Sequence, residues 1–337
     1  MALQQFIDTY LPAIESELQQ AVGLAREPHY EGLHEMMSYH MGWEGEGAGP
    51  KARGKRVRPL LVLLSTASAG SEWEDALPAA AAVELVHNFS LIHDDIEDNS
   101  PLRRGRPTVW KIWGLAQAIN TGDTMFTLAH LAVMGLKEIT SPIIALRATH
   151  LLQHTCMHLT QGQYLDISYE DKTDLAIEDY WPMVGGKTGA LLAACTELGA
   201  LVADVDEETL TAYRNFGRDL GLAFQALDDY LGIWGDAHRT GKSVASDLVE
   251  GKKSLPVLYG LGKNGAFAER WRQGPITQDE VPEIATQLEA EGGRTFTKNE
   301  AEKLTARALQ ALEDANPQGE AGDALAELAN QLLKRDV

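Results

Sequence analysis

The helical spacing of the apolar residues is the feature that most constrains the fold of this chain. Near the start, Phe6, Tyr10, Ile14 and Leu18 recur every four residues, and segment 210–220 has a similar spacing. Residues three or four apart lie on one face of an α-helix. Alternating apolar and polar residues with turn pairs, which are typical of strands, are nearly absent. The sequence therefore predicts an all-α fold, with about ten helices between breaks rich in Gly and Pro.

A single domain is the expected organisation of the chain. Its 337 residues are 44% hydrophobic, which is enough apolar material for one large core. No stretch rich in Pro, Gly or Ser divides the middle of the sequence, so no linker is predicted. The acidic part that follows Lys263 has Glu, Ala and Leu at helical spacing and predicts packing helices.

The charge and the hydropathy exclude several classes of protein. A net charge of −20 argues against nucleic-acid binding and against attraction to an anionic membrane surface. The most apolar segments, 59–69 and 189–203, are too short to span a bilayer or carry Glu197. The N-terminus lacks the basic region of a signal peptide. Cys156 and Cys195 lie in apolar helical segments and are interpreted as buried thiols. We therefore expect a cytoplasmic protein without stable membrane insertion.

Aspartates cluster at the ends of two apolar helical stretches. On a helix, residues i, i+1 and i+4 point to nearly the same side. Carboxylates held so close repel each other unless a cation lies between them, and magnesium binds through one or two carboxylates plus substrate phosphates. The pattern predicts two groups of metal-ligating carboxylates that together bind a diphosphate. The first cluster contains Asp94, Asp95 and Asp98, and the second contains Asp228 and Asp229.

Basic residues lie near both clusters. In an acidic chain, isolated cations beside carboxylates suggest an anionic ligand that brings its own metal ions. Arginine suits bidentate phosphate contacts, and lysine acts as a point charge. Those near the first cluster are Lys55, Arg58, Arg103 and Arg104, and those near the second are Lys187, Lys242 and Lys252.

An ordered series of motifs gives the chain a family resemblance. One Asp-Asp-x-x-Asp motif is weak evidence, because many exposed helices contain one, but an ordered set is strong evidence. The matching segments are 54–59, 84–87, 90–98, 102–108, 122–123, 162–163 with Asp166, 187–189, 224–229, 240–242, 247–248, 251–252 and 255–256. In these segments the chain resembles the trans-isoprenyl diphosphate synthases, head-to-tail prenyltransferases of the geranylgeranyl and farnesyl diphosphate synthase type. The resemblance implies the isoprenoid synthase fold, a single large helical bundle around a central substrate cavity. It implies one polyprenyl synthetase domain over 1–337, with its motifs in about 51–256 and a helical tail in about 263–337.

The resemblance also implies the reaction and the residues that perform it. Isopentenyl diphosphate would condense with an allylic diphosphate (dimethylallyl, geranyl or farnesyl) by ionisation, condensation and elimination. No side chain stands out as a general base, so the released diphosphate is the implied proton acceptor. Magnesium, about three ions with the bound diphosphate, is the implied cofactor.

The implied roles fall into four sets. The metal ligands are Asp94, Asp98, Asp228 and Asp229, while Asp95 orients water and phosphate. Lys55, Arg58, His87 and Arg104 would bind isopentenyl diphosphate, although a lone histidine on an apolar helix is more often a core residue. Arg103, Lys187, Lys242 and Lys252 would bind the allylic diphosphate. Thr188 and Gln225 would lie along the allylic chain and stabilise a transient carbocation. For Gln163 and Asp166, a cavity-lining role and a structural role are equally open.

The second cluster departs from the family pattern at one position. Its third aspartate would stand four residues after Asp228, where this chain has Gly232. A glycine inside a helix costs about 1 kcal/mol relative to alanine, so Gly232 is not a neutral replacement. Asp236, one turn further along, is a candidate substitute acting through water. Because Asp228 does most of the metal binding in the implied mechanism, we expect activity with weaker or rearranged binding of the third magnesium ion.

Residues below the first cluster set the product length in the family that the chain resembles. Ser90, four residues before Asp94, is small, whereas Phe89 lies about 7.5 Å down the helix axis from Asp94 and is bulky. Family members with one aromatic residue at this depth tend to stop at the twenty-carbon product, and two favour fifteen carbons. We expect geranylgeranyl diphosphate, with farnesyl diphosphate next.

Two alternative functions remain open at this point. A class I terpene cyclase shares the helical fold and the first cluster, but it would carry an Asn/Ser/Glu metal triad in place of the second. It would also not need Lys55, Arg58 and Arg104 for a second diphosphate. A non-catalytic or partner-dependent prenyltransferase subunit is favoured only by Gly232, and the intact first cluster argues against it. Because the family is usually dimeric, a homodimer is expected.

Overall fold

The computed structural model describes residues 2–235 and 246–333, and in these residues the chain is helical apart from one short hairpin. The prediction of an all-α fold is confirmed. The first helices are α1 (Ala2–Gly23), α2 (Glu31–His40), α3 (Pro50–Arg53), α4 (Val57–Ser68), α5 (Leu77–Glu97), α6 (Val109–Trp113), α7 (Leu115–Met134) and α8 (Pro142–Tyr169). The hairpin between α5 and α6 consists of β1 (Leu102–Arg103) and β2 (Arg106–Pro107).

Helix α9 (Ile177–Val184) ends at a π-helical turn, Gly185–Gly189. The helices after this turn are α10 (Ala190–Val202), α11 (Glu207–Trp234), α12 (Ser246–Val249), α13 (Leu255–Lys263), α14 (Ala266–Trp271), α15 (Val281–Ala290), α16 (Gly293–Asp314) and α17 (Gly319–Leu333). Short 3₁₀ segments occupy Trp73–Ala76 and Gly135–Glu138. The described residues contain more helices than the predicted ten or so, because short helices such as α12 and α14 lie in the breaks predicted at 235–251 and 260–275.

The chain divides into two compact units. The first comprises Met1–Cys156, Ala194–Thr211 and Asn316–Leu325. Its central element is α5, which packs against α1, α4 and α7. Residues 78–86 of α5 are all buried, as expected for a helix that is apolar all round. The buried part of α5 therefore leads directly to the first aspartate cluster at its C-terminal end.

The second unit comprises Met157–Ala193, Ala212–Ala315 and Ala326–Val337. Helix α13 packs there against α9, α14 and α16. A core cluster in this unit is formed by Ile233, Leu248, Val257, Phe267, Ile276, Val281, Ile284 and Leu288. Ile233 belongs to the turn of α11 that follows Asp228 and Asp229, so this core holds the second aspartate cluster in place.

The predicted helical tail is confirmed for the described residues beyond 263, which form α14 to α17. The tail contributes to both units, since Asn316–Leu325 belong to the first and most of the rest belong to the second. The single-domain organisation stays a prediction.

Cys156 and Cys195 are both buried free thiols, as expected. Among the described helices, none combines the length and the apolar character that a bilayer-spanning segment needs.

Candidate active site

The first aspartate cluster lies where α5 ends. The helix ends at Glu97, and Asp98 follows as its C-terminal cap. Asp94 is partly buried and Asp98 is exposed, whereas Asp95 is only 2% exposed. A helix C-terminus carries partial negative charge, so carboxylates at this end interact unfavourably with the helix dipole as well as with each other. This arrangement favours a bound cation beside Asp94 and Asp98.

Asp95 points inward and is paired with Arg103. The Nε atom of Arg103 donates to both carboxylate oxygens of Asp95, at 2.9 and 3.0 Å, and Nη2 lies 2.9 Å from Oδ1. Burial raises the pKa of Asp95, while the hydrogen bonds and charge of Arg103 act in the opposite direction. Paired contacts of this kind fix the plane of a guanidinium group. Asp95 therefore positions Arg103 beside the more accessible aspartates.

The hairpin that follows α5 presents its arginines in different directions. Arg103 pairs with Arg106 across the two strands. The turn residues Arg104 and Gly105 have φ angles of 52° and 77°, as in a type I′ turn. Arg106 is buried and donates to three backbone carbonyl groups within residues 39–46. Arg106 thus stabilises the backbone of residues 39–46. Arg103 points towards the first aspartate cluster, and Arg104 points towards the segment before α4.

Arg104 reaches back to the segment before α4. Its Nη1 atom donates to the carbonyl oxygen of Ala52 at 2.7 Å. The guanidinium lies against Gly54, where a Cβ would come within 2.6 Å of Arg104 Nη2, and the φ angle of Gly54 is 78°. The positive φ angle therefore favours glycine at this position, and a Cβ there would displace the Arg104 guanidinium. The contact holds Arg104 next to the segment that carries Lys55, which is exposed, and Arg58.

Basic side chains gather around His87. Burial lowers the pKa of His87 well below its ordinary value, and the charges of Arg58, Arg104 and Arg103 lower it further. Charges have such an effect only when they are close. The Nε atom of Arg58 is buried and has no hydrogen-bond partner within the described part of the chain. The structure therefore brings His87, Arg58 and Arg104 together; their role in binding isopentenyl diphosphate stays a prediction.

His40, the last residue of α2, was not found by sequence reasoning. It lines a small pocket together with Asp95 and the arginines Arg103, Arg104 and Arg106. Burial and the nearby arginine charges lower the pKa of His40 to about 3, so its imidazole is neutral at pH 7. Its Nε2 atom is buried and lacks a hydrogen-bond partner among the residues described. A lone histidine has no spacing signal, so only the fold reveals this position.

Arg56 fixes the backbone between the predicted ligands Lys55 and Arg58. It adopts left-handed φ and ψ angles of 49° and 39° directly before α4. Its Nε and Nη1 atoms donate to Glu15 Oε1 at 2.7 Å and to Glu84 Oε1 at 2.8 Å. The side chain is buried, and its two carboxylate partners compensate its charge. These contacts stabilise a backbone conformation that is unusual for a residue with a side chain.

Phe89 lies below the first cluster and meets a second aromatic residue. It is 7% exposed, and its ring contacts Phe126 of α7 edge-on, with the centroids 5.0 Å apart. Phe126 in turn contacts His130 at 4.5 Å. Ser90 Oγ donates to the carbonyl oxygen of His87 at 2.8 Å, so its side chain is tied to its own helix. Phe126 therefore holds the Phe89 ring in place, a pairing between helices that sequence spacing does not encode.

In the second unit, Asp229 is buried and accepts three hydrogen bonds. Its Oδ2 atom accepts from the Tyr180 hydroxyl at 2.8 Å and from the Leu255 N–H at 2.9 Å, and Oδ1 accepts from Gln225 Nε2 at 2.9 Å. Burial raises the pKa of Asp229 to about 6 despite these donors. Asp228 is partly buried. Asp229 thus fixes the amide of Gln225, and its predicted role as a metal ligand stays a prediction.

The π-helical turn Gly185–Gly189 lies in close backbone contact with two helices. A Cβ at Gly162 of α8 would be 2.1 Å from the Lys187 nitrogen. A Cβ at Gly221 of α11 would be 2.9 Å from the Cα of Gly189. Only residues without side chains allow such approaches. Glycines on both helices therefore determine where this turn lies.

This packing brings several predicted site residues together within the second unit. Lys187 Nζ contacts the carboxylate of Asp166, which lies one turn after the glycine on α8. Thr188 Oγ1 donates to Gln225 Oε1 at 3.2 Å, and Gln225 lies one turn after the glycine on α11. Asp166, for which two roles were open, is therefore the ion-pair partner of Lys187.

Of the two other lysines predicted to bind the allylic diphosphate, the structure describes Lys252 but not Lys242. Lys252 Nζ lies 2.7 Å from Glu250 Oε2 and 3.9 Å from Asp247 Oδ1. Lys242, like Asp236, lies outside the described residues.

The residues present fit magnesium that binds together with a diphosphate. In 2–235 and 246–333, no three His, Cys, Asp or Glu side chains are grouped as a ready metal cage. Magnesium is characteristically held by one or two carboxylates plus phosphate oxygens, so a protein cage is not required. The carboxylates of Asp94 and Asp98 in the first unit, and that of Asp228 in the second, are hard oxygen groups of this type that are not fully buried. Their role as metal ligands stays a prediction.

Comparisons with known proteins agree with this geometry. A family model described as polyprenyl synthetase matches residues 49–288. A geranylgeranyl diphosphate synthase of Mycobacterium tuberculosis is 40% identical over 305 residues, which cover 88% of this chain and 85% of that protein. A (2E,6E)-farnesyl diphosphate synthase of Mycobacterium bovis is 37% identical over 323 residues, with 92% and 88% coverage.

Solved structures lead to the same family. The crystal structure of a polyprenyl synthetase from Streptomyces coelicolor A3(2) is similar with a TM-score of 0.86 and 37% identity, and the match covers 98% of this chain and 99% of that one. The resemblance seen in the motifs is thereby confirmed, as is the isoprenoid synthase fold. The chain belongs to the polyprenyl synthetase family.

Proposed function

We propose that this polyprenyl synthetase, a trans-prenyltransferase, extends allylic diphosphates with isopentenyl diphosphate and releases geranylgeranyl diphosphate as its main product. Dimethylallyl, geranyl and farnesyl diphosphate are the proposed starters. The observation that carries the chain length is the Phe89 ring below Asp94, held edge-on by Phe126. The similar mycobacterial proteins are named for the geranylgeranyl and farnesyl products, which supports a short chain and makes farnesyl diphosphate the next candidate.

Isopentenyl diphosphate is proposed to bind in the first unit. Arg58, Arg104 and the neutral His87 supply charge and hydrogen-bond donors in one place, and Lys55 lies on the adjacent exposed segment. One arginine guanidinium can donate two parallel hydrogen bonds to a phosphate, and such a contact orients the substrate as well as binding it. Arg103, oriented by Asp95, is proposed to contact the allylic diphosphate.

In the second unit, Lys187, Thr188 and Gln225 are proposed to act on the allylic substrate, with Lys242 and Lys252 as further diphosphate ligands. Lys187 places a positive charge where negative charge grows on the leaving diphosphate, and such preorganised charges are the main source of rate enhancement in many enzymes. The Thr188 hydroxyl and the Gln225 amide, hydrogen-bonded to each other, present oxygen dipoles that stabilise a transient carbocation.

Magnesium ions are the proposed cofactor, held by Asp94, Asp98 and Asp228 and, as the motif predicts, Asp229. When bound, magnesium would neutralise the diphosphate and make it a better leaving group. The double bond of isopentenyl diphosphate attacks the allylic carbon, and the new cation loses a proton. The released diphosphate is the proposed acceptor of that proton.

A homodimer in the cytoplasm, built from one polyprenyl synthetase domain per chain, is the proposed assembly. Large apolar side chains are exposed at the end of α7 and at the start of α8, and exposed apolar surface is a feature of protein interfaces. Leu131 and Met134 are 49% and 46% exposed, and Ile143 and Leu146 are each 71% exposed. Each pair is three residues apart, so each forms one helix face.

A product assay tests the proposed function. Purified protein, magnesium and isopentenyl diphosphate are incubated with each allylic starter in turn, and the dephosphorylated products are separated by length. Geranylgeraniol from all three starters is expected. Farnesol alone would contradict the proposed product length. Absence of elongation would favour a partner-dependent subunit, and a cyclic hydrocarbon would favour a terpene cyclase.

A further inference from the structure

Lys55 lies between two residues with positive φ angles. The φ angle of Gly54 is 78° and that of Arg56 is 49°. Glycine adopts such angles readily, whereas a residue with a side chain does so only where its surroundings stabilise the conformation. Arg58 follows two residues later, in the first turn of α4. The placement of both predicted isopentenyl diphosphate ligands therefore depends on the contacts that hold Arg56.

The Arg56 guanidinium connects three elements of the first unit. It donates to Glu15 of α1 at 2.7 Å, to Glu84 of α5 at 2.8 Å and to the carbonyl oxygen of Met41, directly after α2, at 3.2 Å. The Arg56 side chain is only 1% exposed. Because a guanidinium is planar and rigid, three such bonds fix both its position and its plane.

Glu15 uses both of its carboxylate oxygens on the segment that leads to α4. Oε1 accepts from Arg56 Nε, and Oε2 accepts from Trp43 Nε1 at 2.6 Å. The Glu15 side chain is 15% exposed, so solvent has little access to these bonds. Neither Glu15 nor Trp43 belongs to the motif segments that carry the family resemblance. One carboxylate of α1 thus holds both ends of the segment 43–56.

Glu84, the other carboxylate, acts on more than Arg56. Burial lowers the pKa of Arg58 and that of Arg104, and the charge of Glu84 opposes this effect at both residues. Replacing Glu84 would therefore change the charge environment of two predicted diphosphate ligands directly. The hydrogen bond from Arg56 connects Glu15 to the site indirectly, so Glu15 is the better residue for testing position alone.

We propose that Glu15 is a positioning residue for isopentenyl diphosphate: it holds Arg56, and Arg56 holds the backbone that places Lys55 and Arg58 at the substrate. This inference rests on the proposed function, because that function assigns Lys55 and Arg58 to isopentenyl diphosphate. A residue of α1, outside the motifs, then sets the affinity for one of the two substrates. The allylic diphosphate, which is assigned to other residues, binds as before when Glu15 is replaced.

Steady-state kinetics of the full-length protein measures the effect, with each substrate varied in turn at a saturating concentration of the other. Glu15→Ala removes both hydrogen bonds, and Glu15→Gln keeps the shape of the side chain but removes its charge. Trp43→Phe removes the N–H that donates to Oε2 and keeps an aromatic ring. Asp8→Asn is the matched control, because its exposed carboxylate lies on the same helix and accepts from Gln4.

Glu15→Ala is expected to raise the KM for isopentenyl diphosphate by about tenfold, since misplacing binding groups by about 1 Å can cost even more. Glu15→Gln and Trp43→Phe should each raise it by about fivefold, which corresponds to the loss of one hydrogen bond. The KM for the allylic diphosphate should stay within about twofold in every variant, because its binding groups are not displaced. Asp8→Asn is expected to leave both KM values unchanged.

A double-mutant cycle tests whether Glu15 acts through Arg56. Arg56→Lys keeps the positive charge but lacks the planar fork, so it cannot hold two carboxylates in the same geometry. In the Arg56→Lys background, Glu15→Ala should change the KM for isopentenyl diphosphate by less than about twofold, because the contact is already lost. A full tenfold rise in that background would show that Glu15 acts by another route, and the inference would be wrong.

Arg58→Gln separates this inference from the proposed function. If Arg58→Gln raises the KM for isopentenyl diphosphate and a folded Glu15→Ala does not, the inference is wrong and the proposed function stands. If neither variant raises it, the proposed isopentenyl diphosphate site is wrong, and the inference fails with it.

Two further outcomes would overturn the positioning role of Glu15. Equal rises in the KM values of both substrates in Glu15→Ala would indicate a general structural role. A lower KM for isopentenyl diphosphate in Glu15→Gln would show that the charge of Glu15 acts on the diphosphate by repulsion. If Glu15→Ala does not fold, as judged by circular dichroism, Glu15→Gln and Trp43→Phe are judged by the same criteria.

Discussion

At the scale of single residues, the two aspartate clusters share a division of roles. In each, the second aspartate is buried and bound by protein donors: Asp95 by Arg103, and Asp229 by Tyr180, Gln225 and the Leu255 N–H. The first aspartate of each, Asp94 or Asp228, stays more accessible. The buried carboxylate holds a neighbouring side chain in place, and the other lies closer to solvent. Neighbouring aspartates in one motif therefore have different environments.

Replacing Phe89 by alanine is expected to lengthen the product. The substitution removes the ring below Asp94 and leaves Phe126 without its edge-on partner. A buried Phe→Ala change costs about 3 kcal/mol or more in stability, so the ratio of product lengths, rather than the rate, is the quantity to measure. Phe89→Leu provides a milder variant that keeps the core filled.

The product distribution is read by chromatography of the dephosphorylated alcohols. Phe6→Ala is the control, because Phe6 packs against Tyr10 in α1. Products longer than twenty carbons from Phe89→Ala, with none from Phe6→Ala, are expected. An unchanged distribution in both Phe89 variants would show that Phe89 does not limit the chain.

Both cysteines are expected to be unreactive in the folded protein at pH 8. Burial raises the pKa of Cys156 and of Cys195 to about 12. A raised thiol pKa disfavours the thiolate, which is the reactive form, at every pH below that value. Titration with a disulfide reagent should count no fast-reacting thiol in the native protein and both thiols in denaturant. Fast reaction of either thiol in the native protein would show that its burial is transient.

At the scale of elements, the π-helical turn depends on close backbone contacts as well as on side-chain contacts. Gly162→Ala would put a methyl group 2.1 Å from the Lys187 backbone nitrogen, a contact that rotating a side chain does not relieve. We expect a loss of about 1–3 kcal/mol in the free energy of unfolding, as for overpacked cores. The contact between Lys187 and Asp166 should weaken as well, because the added methyl group would push the π-helical turn, which carries Lys187, away from α8, which carries Asp166.

Gly185→Ala is the matched control in the same turn. A Cβ at Gly185 meets nothing within 4 Å, and its backbone is already in the right-handed helical region. The change should be neutral or stabilising by about 0.4–1 kcal/mol. Denaturant unfolding of both variants measures the difference. Equal stability of the two would mean that the turn does not need the close approach at Gly162.

The sequence predicted the helices well but not the contacts between them. Apolar spacing located long helices such as α1, α5 and α11, because one buried face imposes a regular period. It did not predict the pairing of Phe89 with Phe126 or the approach of Asp247 to Gly232. Those contacts depend on how elements far apart in the sequence pack together, and the spacing of apolar residues within one helix does not encode that packing. His40 was missed for the same reason, since its meaning comes from arginines 63 to 66 residues later in the chain.

At the scale of the whole molecule, the exposed apolar side chains of α7 and α8 are expected to join two copies of the chain. Ile143→Asp combined with Leu146→Asp places two charges on a face whose side chains are each 71% exposed. Removal from solvent contributes roughly 25 cal/mol per Å² of apolar surface, so charges at the centre of such a face should dissociate a dimer. Because both residues are exposed in the single chain, the fold itself should be unaffected.

The assembly is measured by sedimentation at several protein concentrations, with circular dichroism as the test of folding. Leu24→Asp is the control, because Leu24 is 63% exposed but follows α1, outside α7 and α8. A dimer for the unchanged protein and for Leu24→Asp, and a folded monomer for the double variant, are expected. The net charge of −20 adds repulsion between copies, so the dimer should strengthen as salt screens that repulsion. A monomer for the unchanged protein at every concentration and salt level would contradict the proposed homodimer.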